Sequence, residues 1–596
     1  MSTEKPLNEI LGTTQILWNL TDLYSSTEDP AVKSDIEWCK DEGATLARDH
    51  QGKLAQLQAE EMYALVARLE SLQTRLGKLA TFAFLNFTTQ VDNSAAGAFY
   101  QEIREIISQV EKNTVFFELE WNMLPDDHAS TLLQEDKLLG YRHYLQSMRR
   151  YRPHQLTEAE EKLLIERKIV GRSSWTTLFE KVFGHLRFGP NKRTEEEVLT
   201  DLYSSDREVR SRAAAEMTEG LKSQSHILTH IFNTLAAEKM ITDRLRSHRG
   251  WVSAMNLDNQ VEDATVDALI GAVTGRYDIV QRYYRVKKEL LSLDELRDYD
   301  RYAPLPALPT KQIDWQGSRA IVLDAFASFS PRMAETAERF FEKNYIHAPL
   351  LPGKRGGAFA HPCIPEVHPY VMVNYSGTLR DISTVAHELG HGIHQVLAAE
   401  KGYFSSDTPL VLAETASVFA ELLVFKAQLA LLENPAEKKA YICQKLESIF
   451  ATVFRQTAMN RFEEAMHQGR RQKGELSCEQ LSAFWLETQR EMFGDAVNLS
   501  EDYGIWWSYI PHFLATPGYV YSYAFGELLV LALYNLYENE GQPFIEKYFN
   551  LLAAGGSDTP YALLQPFGID LNDQNFWNQG LDLIDSMLRE VENSHN

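Results

Sequence analysis

Apolar residues recur at three- and four-residue spacing, with charges between them, along stretches such as "EEMYALVARLESLQTRLGKLATFAF" and "AYICQKLESIFATVFRQTAMNRFEEAM". This period matches the helical turn, so each stretch buries one face only by packing as a helix against others. The pattern predicts a mainly α fold. Helix start signals agree with it. Thr157 with Glu160 makes a capping box before "EEKLLIERKIV", and Thr194 stands in the same relation to "EEEVLTDLY". A chain of 596 residues with 44% hydrophobic content can bury enough surface for two or more lobes. "RFGPNKRT", residues 187–194, is the clearest break in the first half, and a lobe boundary is expected there, between residues 190 and 191.

One region reads differently. "LLPGKRGGAFAHPCIPEVHPYVMVNYSGTLRD", residues 350–381, clusters glycine and proline and then alternates β-formers in "PYVMVNYSG". It predicts a small sheet or hairpin ahead of a new helix. Its glycines belong to turns, because the lysine precedes the paired glycines and the order of a phosphate loop is missing.

Charge and cysteine usage narrow the function classes. Lys and Arg number 59 against 83 Asp and Glu, and the net charge of -24 opposes phosphate backbones and anionic lipid surfaces. Nucleic acid and membrane partners are not expected. The start "MSTEKPLNEILGTTQ" lacks the basic and apolar regions of a secretory signal, and "LLVLALYNLY" is too short to span a bilayer. Cys39, Cys363, Cys443 and Cys478 form no CxxC pair, which fits reduced thiols and a cytoplasmic location.

The stretch "VAHELGHGIHQ", residues 385–395, carries the chemistry. On a helix, His387 and His391 lie about 40° apart around the axis and ~6 Å along it, so both imidazoles can reach one ion. Glu388 is offset beside them, placed to act as general base on a metal-bound water. A catalytic zinc usually takes a third protein ligand, and Glu414 in "LVLAETASVFAELLVF" can supply it from a returning helix, with Thr408 as cap and Pro409 at the first helical position. Glu414 could instead pair with a buried basic group. His394 falls on the ligand stripe one turn beyond His391, but a fourth protein ligand would close the open position, so a supporting or packing role is preferred. Glu421 either orients a ligand histidine or is simply a structural carboxylate. A catalytic thiol at Cys363 is rejected, because the metal motif already provides the nucleophile.

With these residues the chain resembles the thimet oligopeptidase and oligoendopeptidase F family of zinc metallopeptidases, and is most similar to its bacterial oligoendopeptidase F branch. The resemblance rests on "HPYVMVNYSGT", "AHELGHGIH", "LAETAS", "IPHFLATPGYVYSYAFGELL" and "AAGGSDTP" followed by "FGIDLNDQNFW". Diffuse likenesses at "GRSSWTTLFEKV" and "RYYRVKKELL" extend it over most of the chain. It implies a two-lobed, mostly helical metallopeptidase with a deep substrate channel and a small β-sheet beside the HExxH helix. Residues 1–190 would form an N-terminal helical lobe and 191–596 the catalytic domain.

The implied activity is zinc-dependent hydrolysis of internal bonds in short unstructured oligopeptides, with one Zn2+ per chain held by His387, His391 and Glu414, and Glu388 activating the water. The strand "PYVMVNYSG" would offer an exposed edge to the substrate backbone. His512, Tyr519 and Tyr523 are the expected oxyanion donors. Their spacing departs from the thimet branch, so Tyr521 competes for the same role, and a plain aromatic core stripe is the bland alternative. Two other functions compete with this one: a metallocarboxypeptidase of related helical build and a non-catalytic peptide-binding scaffold.

Overall fold

The computed structural model describes residues 6–168, 170–306 and 312–593. Helices make up most of its regular structure, with one small three-stranded sheet. The first predicted stretch is the continuous helix Ala59–Thr88, opened by a capping box between Gln58 and Glu61. Its Leu65, Leu69, Leu72, Leu76 and Leu79 are all buried, so the apolar stripe of the sequence becomes the core-facing side. The second stretch breaks once, at Val453, into the helices Pro435–Thr452 and Phe454–Lys473. The boxes at Thr157/Glu160 and Thr194/Glu197 both form.

The chain divides into two compact units built from separated segments. The first comprises Met1–Arg152, Thr310–Leu431 and Leu536–Ile569, and the second Pro153–Pro309, Leu432–Asn535 and Asp570–Asn596. The break at 187–194 is a tight turn inside the second unit, where Phe188 and Arg193 exchange backbone hydrogen bonds of 2.9 and 3.0 Å. "LLVLALYNLY" is buried within the helix Tyr521–Glu540, and no helix among the described residues is long and apolar enough to cross a membrane.

The sheet belongs to the first unit. It consists of β1 (Ile346–His347), β2 (Phe359–His361) and β3 (Tyr370–Met372) in the order β1-β3-β2. β3 pairs parallel with β1 and antiparallel with β2, with Val371 opposite both Ile346 and Ala360. The expectation that "PYVMVNYSG" presents a free edge is therefore corrected. β3 is flanked on both sides and fully buried, whereas β2 is half-buried and lies at the sheet edge. Alternating β-formers identify a strand but not its neighbours, and the tight turns that bring β2 back alongside β3 decide which strand is outermost. Gly353 and Gly357 take the positive φ values, +72° and +80°, that those turns require. Between them and the sheet, the Lys354 ammonium donates to the carbonyls of His347, Pro349 and Val373 at 3.2, 2.9 and 2.7 Å. The lysine of "GKRGG" thus ties the loop to the strand ends.

Candidate metal centre and active site

The histidine pair lies on α1 (Leu379–Ala398), whose first turn is capped by Thr378 and Asp381. Ile382, Val385, Ala386, Leu389 and Ile393 bury one side of it. Two glycines set how closely its neighbours approach. A Cβ on Gly390 would stand 2.5 Å from the Ala416 carbonyl oxygen and 2.6 Å from Ser417 Cα, and one on Gly392 would meet the Phe340 ring at 2.7 Å. Only because position 390 carries no side chain can the segment bearing Glu414 lie directly against the histidine turn.

That segment is not the continuous helix expected from sequence. Pro409 precedes the first turn as its cap, α2 covers only Leu410–Ala413, and Glu414–Ala416 form a turn before α3 (Ser417–Leu431). Two carbonyls that a continuous helix would consume are used elsewhere. Ala413 accepts from the His391 ring, and Thr415 accepts from the Tyr548 hydroxyl at 3.0 Å. The interruption turns Glu414 toward α1. Its Oε2 lies 3.3 Å from His387 Nε2 and 3.5 Å from His391 Nε2, and Ser417 Oγ donates to the same oxygen at 2.7 Å. One donor atom from each of His387, His391 and Glu414 lies within 4.8 Å of the other two.

Both imidazoles are held from behind. His387 Nδ1 faces Glu421 Oε2 at 3.3 Å, and His391 bonds to Ala413, which leaves each Nε2 turned toward Glu414. Glu421 thus stands against the His387 ring, where one of its two sequence readings put it. His394 is buried with its Nε2 unpartnered and stands outside the three-residue cluster. Burial pushes it down to about 4, so it is a neutral packing residue. Glu388 is 7% exposed and accepts the Ala360 N–H of β2. Burial pushes its carboxyl up to about 7, with the charge of His387 opposing and that of Glu414 adding.

His512, Tyr519 and Tyr523 lie in the second unit. His512 opens the short helix His512–Ala515, and its Nε2 is 3.3 Å from the Tyr523 hydroxyl. The Tyr519 and Tyr523 rings meet edge to face at 5.0 Å, so the three predicted donors form one cluster. Tyr521 does not join them, being fully buried with its hydroxyl accepting from Asn259 at 2.8 Å. Cys363 is no nucleophile, since burial pushes its thiol up to about 12.

Comparison with known proteins matches this arrangement to a family. Residues 327–583 match the model described as peptidase family M3, and 120–188 match that described as oligopeptidase F. The oligopeptidase PepF of Bacillus subtilis is 26% identical over 621 residues, covering all of this chain and 91% of its own length. An oligoendopeptidase F homolog of Lactococcus lactis is 25% identical, with 99% of this chain and 98% of that protein covered. Over nearly its whole length the chain is similar to the oligoendopeptidase F peptidases of family M3. The fold agrees: the crystal structure of oligoendopeptidase-F from Enterococcus faecium superposes with a TM-score of 0.73 at 22% identity, over 94% of this chain and 98% of that one.

The donor set fits a divalent zinc ion. Two imidazole nitrogens and one carboxylate oxygen converge, each imidazole is braced from behind, and no fourth protein ligand among the described residues closes the site. The electrostatics point the same way. Burial disfavours charge on His387, yet Glu421, Glu414 and Glu388 outweigh it and lift His387 to about 9. Three carboxylates around two imidazoles call for a cation. Sequence reasoning missed the Ala360 amide, because a backbone group has no residue signature. It also missed Glu463, whose Oε1 accepts the Gly518 N–H at 2.6 Å just before Tyr519. The only signal for Glu463 was a charge on the apolar side of an amphipathic stretch, four residues before His467.

Proposed function

We propose that this protein is a zinc-dependent endopeptidase of family M3 that cleaves internal bonds of short, unstructured oligopeptides. The observation that carries the reading is the convergence of His387 Nε2, His391 Nε2 and Glu414 Oε2 beside the buried carboxyl of Glu388. His387, His391 and Glu414 hold the ion, one per chain, and Glu421 keeps His387 in the ligating orientation. When bound there, zinc supplies Lewis acidity toward the scissile carbonyl and lowers the pKa of water. Glu388 removes a proton from the attacking water and later delivers it to the leaving amine, work suited to a carboxyl poised near neutrality. The edge strand β2 offers backbone groups to an extended peptide, while its Ala360 N–H holds the Glu388 carboxyl. His512, Tyr519 and Tyr523 donate hydrogen bonds to the carbonyl oxygen as negative charge develops on it.

The same reading assigns residues 1–190 as an N-terminal helical lobe and 191–596 as the catalytic domain, supported by the oligopeptidase F match ending at 188 and the M3 match lying within the latter. Four free cysteines support a cytoplasmic setting.

The test is hydrolysis of internally quenched peptides before and after chelation, with products identified by mass spectrometry. Cleavage inside a peptide with a blocked C-terminus should vanish on metal removal and return with zinc. Cleavage that persists without metal would rule the assignment out.

A further inference from the structure

The second unit holds a recess rich in guanidinium and phenol groups that the steps above leave unused. Arg455 lies in the first turn of α4 (Phe454–Lys473) and is half-buried. Its Nη2 donates to the Tyr509 hydroxyl at 3.0 Å, its Nε is buried without a partner, and no carboxylate pairs with it among the described residues. Arg301 is close by and 5% exposed. It donates to the Asp298 carbonyl at 2.8 Å and to the hydroxyls of Tyr302 and Tyr503 at 3.2 and 3.1 Å.

Of the nearby acids, Glu447 is already paired with Lys287 at 2.6 Å, and Asp298 offers Arg301 its backbone carbonyl. Burial disfavours ionised Tyr302, but the charges of Arg301 and Arg455 outweigh it and lower its pKa, as expected in a positive recess. Tyr302, Tyr503 and Tyr509 each accept a hydrogen bond from an arginine, which leaves their own O–H groups to donate. Tyr302 and Tyr509 are half-buried, so both border open space.

A guanidinium held this deep without a carboxylate is costly, and in a chain of net charge -24 such a spot selects an anion. The planar fork and convergent O–H donors suit a carboxylate. Its location ties it to the His512 cluster of the same unit. Tyr509 lies three residues before His512, and the Arg455 charge, after burial, is what lowers the pKa of that histidine. We propose that Arg455, with the hydroxyls of Tyr302 and Tyr509, binds a carboxylate of the peptide substrate. The inference rests on the oligopeptide reading above and adds a charge requirement to it. The carboxylate comes from the peptide C-terminus or from an acidic side chain.

Binding to the Glu388→Gln protein, measured by titration calorimetry, separates these sources without turnover. The probes are one neutral octapeptide as its free acid, the same peptide as its C-terminal amide, and amides carrying a single Glu at successive positions. The free acid is expected to bind on the order of tenfold to a hundredfold more tightly than the neutral amide. If only certain Glu-containing amides gain that factor, the recess reads a side chain. Adding Arg455→Met should bring the ratio to about one. Tyr509→Phe, which removes one hydroxyl with almost no change in volume, should reduce the ratio several-fold and covers failure of the arginine variant to fold. Equal binding of acid, neutral amide and all Glu-amides, or a ratio that survives both substitutions, overturns the proposal while leaving the peptidase reading intact. Absence of binding by any peptide overturns both.

Discussion

Glu463 holds Gly518: its Oε1 accepts the glycine N–H at 2.6 Å from a position with no solvent exposure. Gly518 has φ +83° and leads directly into Tyr519, so a buried acid fixes the turn on which the predicted oxyanion donors are mounted. Its Oε2 has no partner, and His467 Nε2 stands 3.7 Å from Oε1. Burial, assisted by Lys239, Arg471 and Arg172, holds His467 neutral, while burial alone lifts Glu463 to about 8 against the pull of the Gly518 N–H, Lys239 and Arg172.

This arrangement makes stability depend on pH. Glu463 binds its proton more tightly in the folded chain, from the ordinary value of 4.5 up to about 8. Its contribution is therefore full below 4.5 and is lost as pH rises through about 8, on the order of a few kcal/mol. Glu463→Gln keeps an acceptor for Gly518 but cannot ionise. Tm measured between pH 5 and 9 should fall more steeply for the parent than for the variant, and parallel curves would refute the assignment.

Gly390→Ala should open the metal site. The new methyl meets backbone atoms of Ala416 and Ser417 below 3 Å, so α1 and the Glu414 turn must part. Overpacking costs about 1–3 kcal/mol, more than the ~1 kcal/mol gained in helix propensity. Denaturant melting and zinc titration should show lower stability and weaker zinc. Gly140→Ala, with nothing within 4 Å, is the neutral control.

Glu421→Ala should leave the three ligands in place and remove the brace on His387 Nδ1. Zinc affinity is expected to fall by about 10- to 100-fold, read by competition with a chromogenic chelator, and excess zinc should restore most activity. Unchanged affinity would show that His387 is oriented by packing alone.

For Glu388→Gln the expectation is a protein with a full complement of zinc and kcat lowered by roughly 10²- to 10⁴-fold, the usual contribution of a general base. Metal content and steady-state hydrolysis of a quenched peptide measure the two halves. Retained turnover would exclude Glu388 as the base.

The two tyrosine substitutions should separate cleanly. Tyr523→Phe removes a hydroxyl that meets His512 and should lower kcat by about 10²-fold with little change in KM. Tyr521→Phe takes the acceptor from Asn259 in the core, so its effect, about 1 kcal/mol, should appear in Tm and not in kcat. Reversed effects would reassign the donor to Tyr521.

Period and spacing were enough to read the helical class, the capping boxes and the residues of the candidate metal centre. His387, Glu388 and His391 are legible because helix geometry links positions four apart without any knowledge of the rest of the fold. Glu414 does lie beside the two histidines, but by a route that differs from the continuous helix expected. It sits in a turn, and the carbonyls of Ala413 and Thr415 beside and within that turn serve His391 and Tyr548, which lie 23 positions before Glu414 and 134 after it.

The strand order, the Glu463 anchor and the Arg455 recess were not legible for a common reason. Each depends on which distant segments become neighbours, and a short-range pattern carries no record of that. Local propensity and periodicity operate within a few residues and made this chain helical, with two imidazoles on one face. Packing between segments tens to hundreds of residues apart chose the edge strand, brought a carboxylate to those imidazoles past a glycine that leaves room for it, and separated the half-buried tyrosines from the fully buried one.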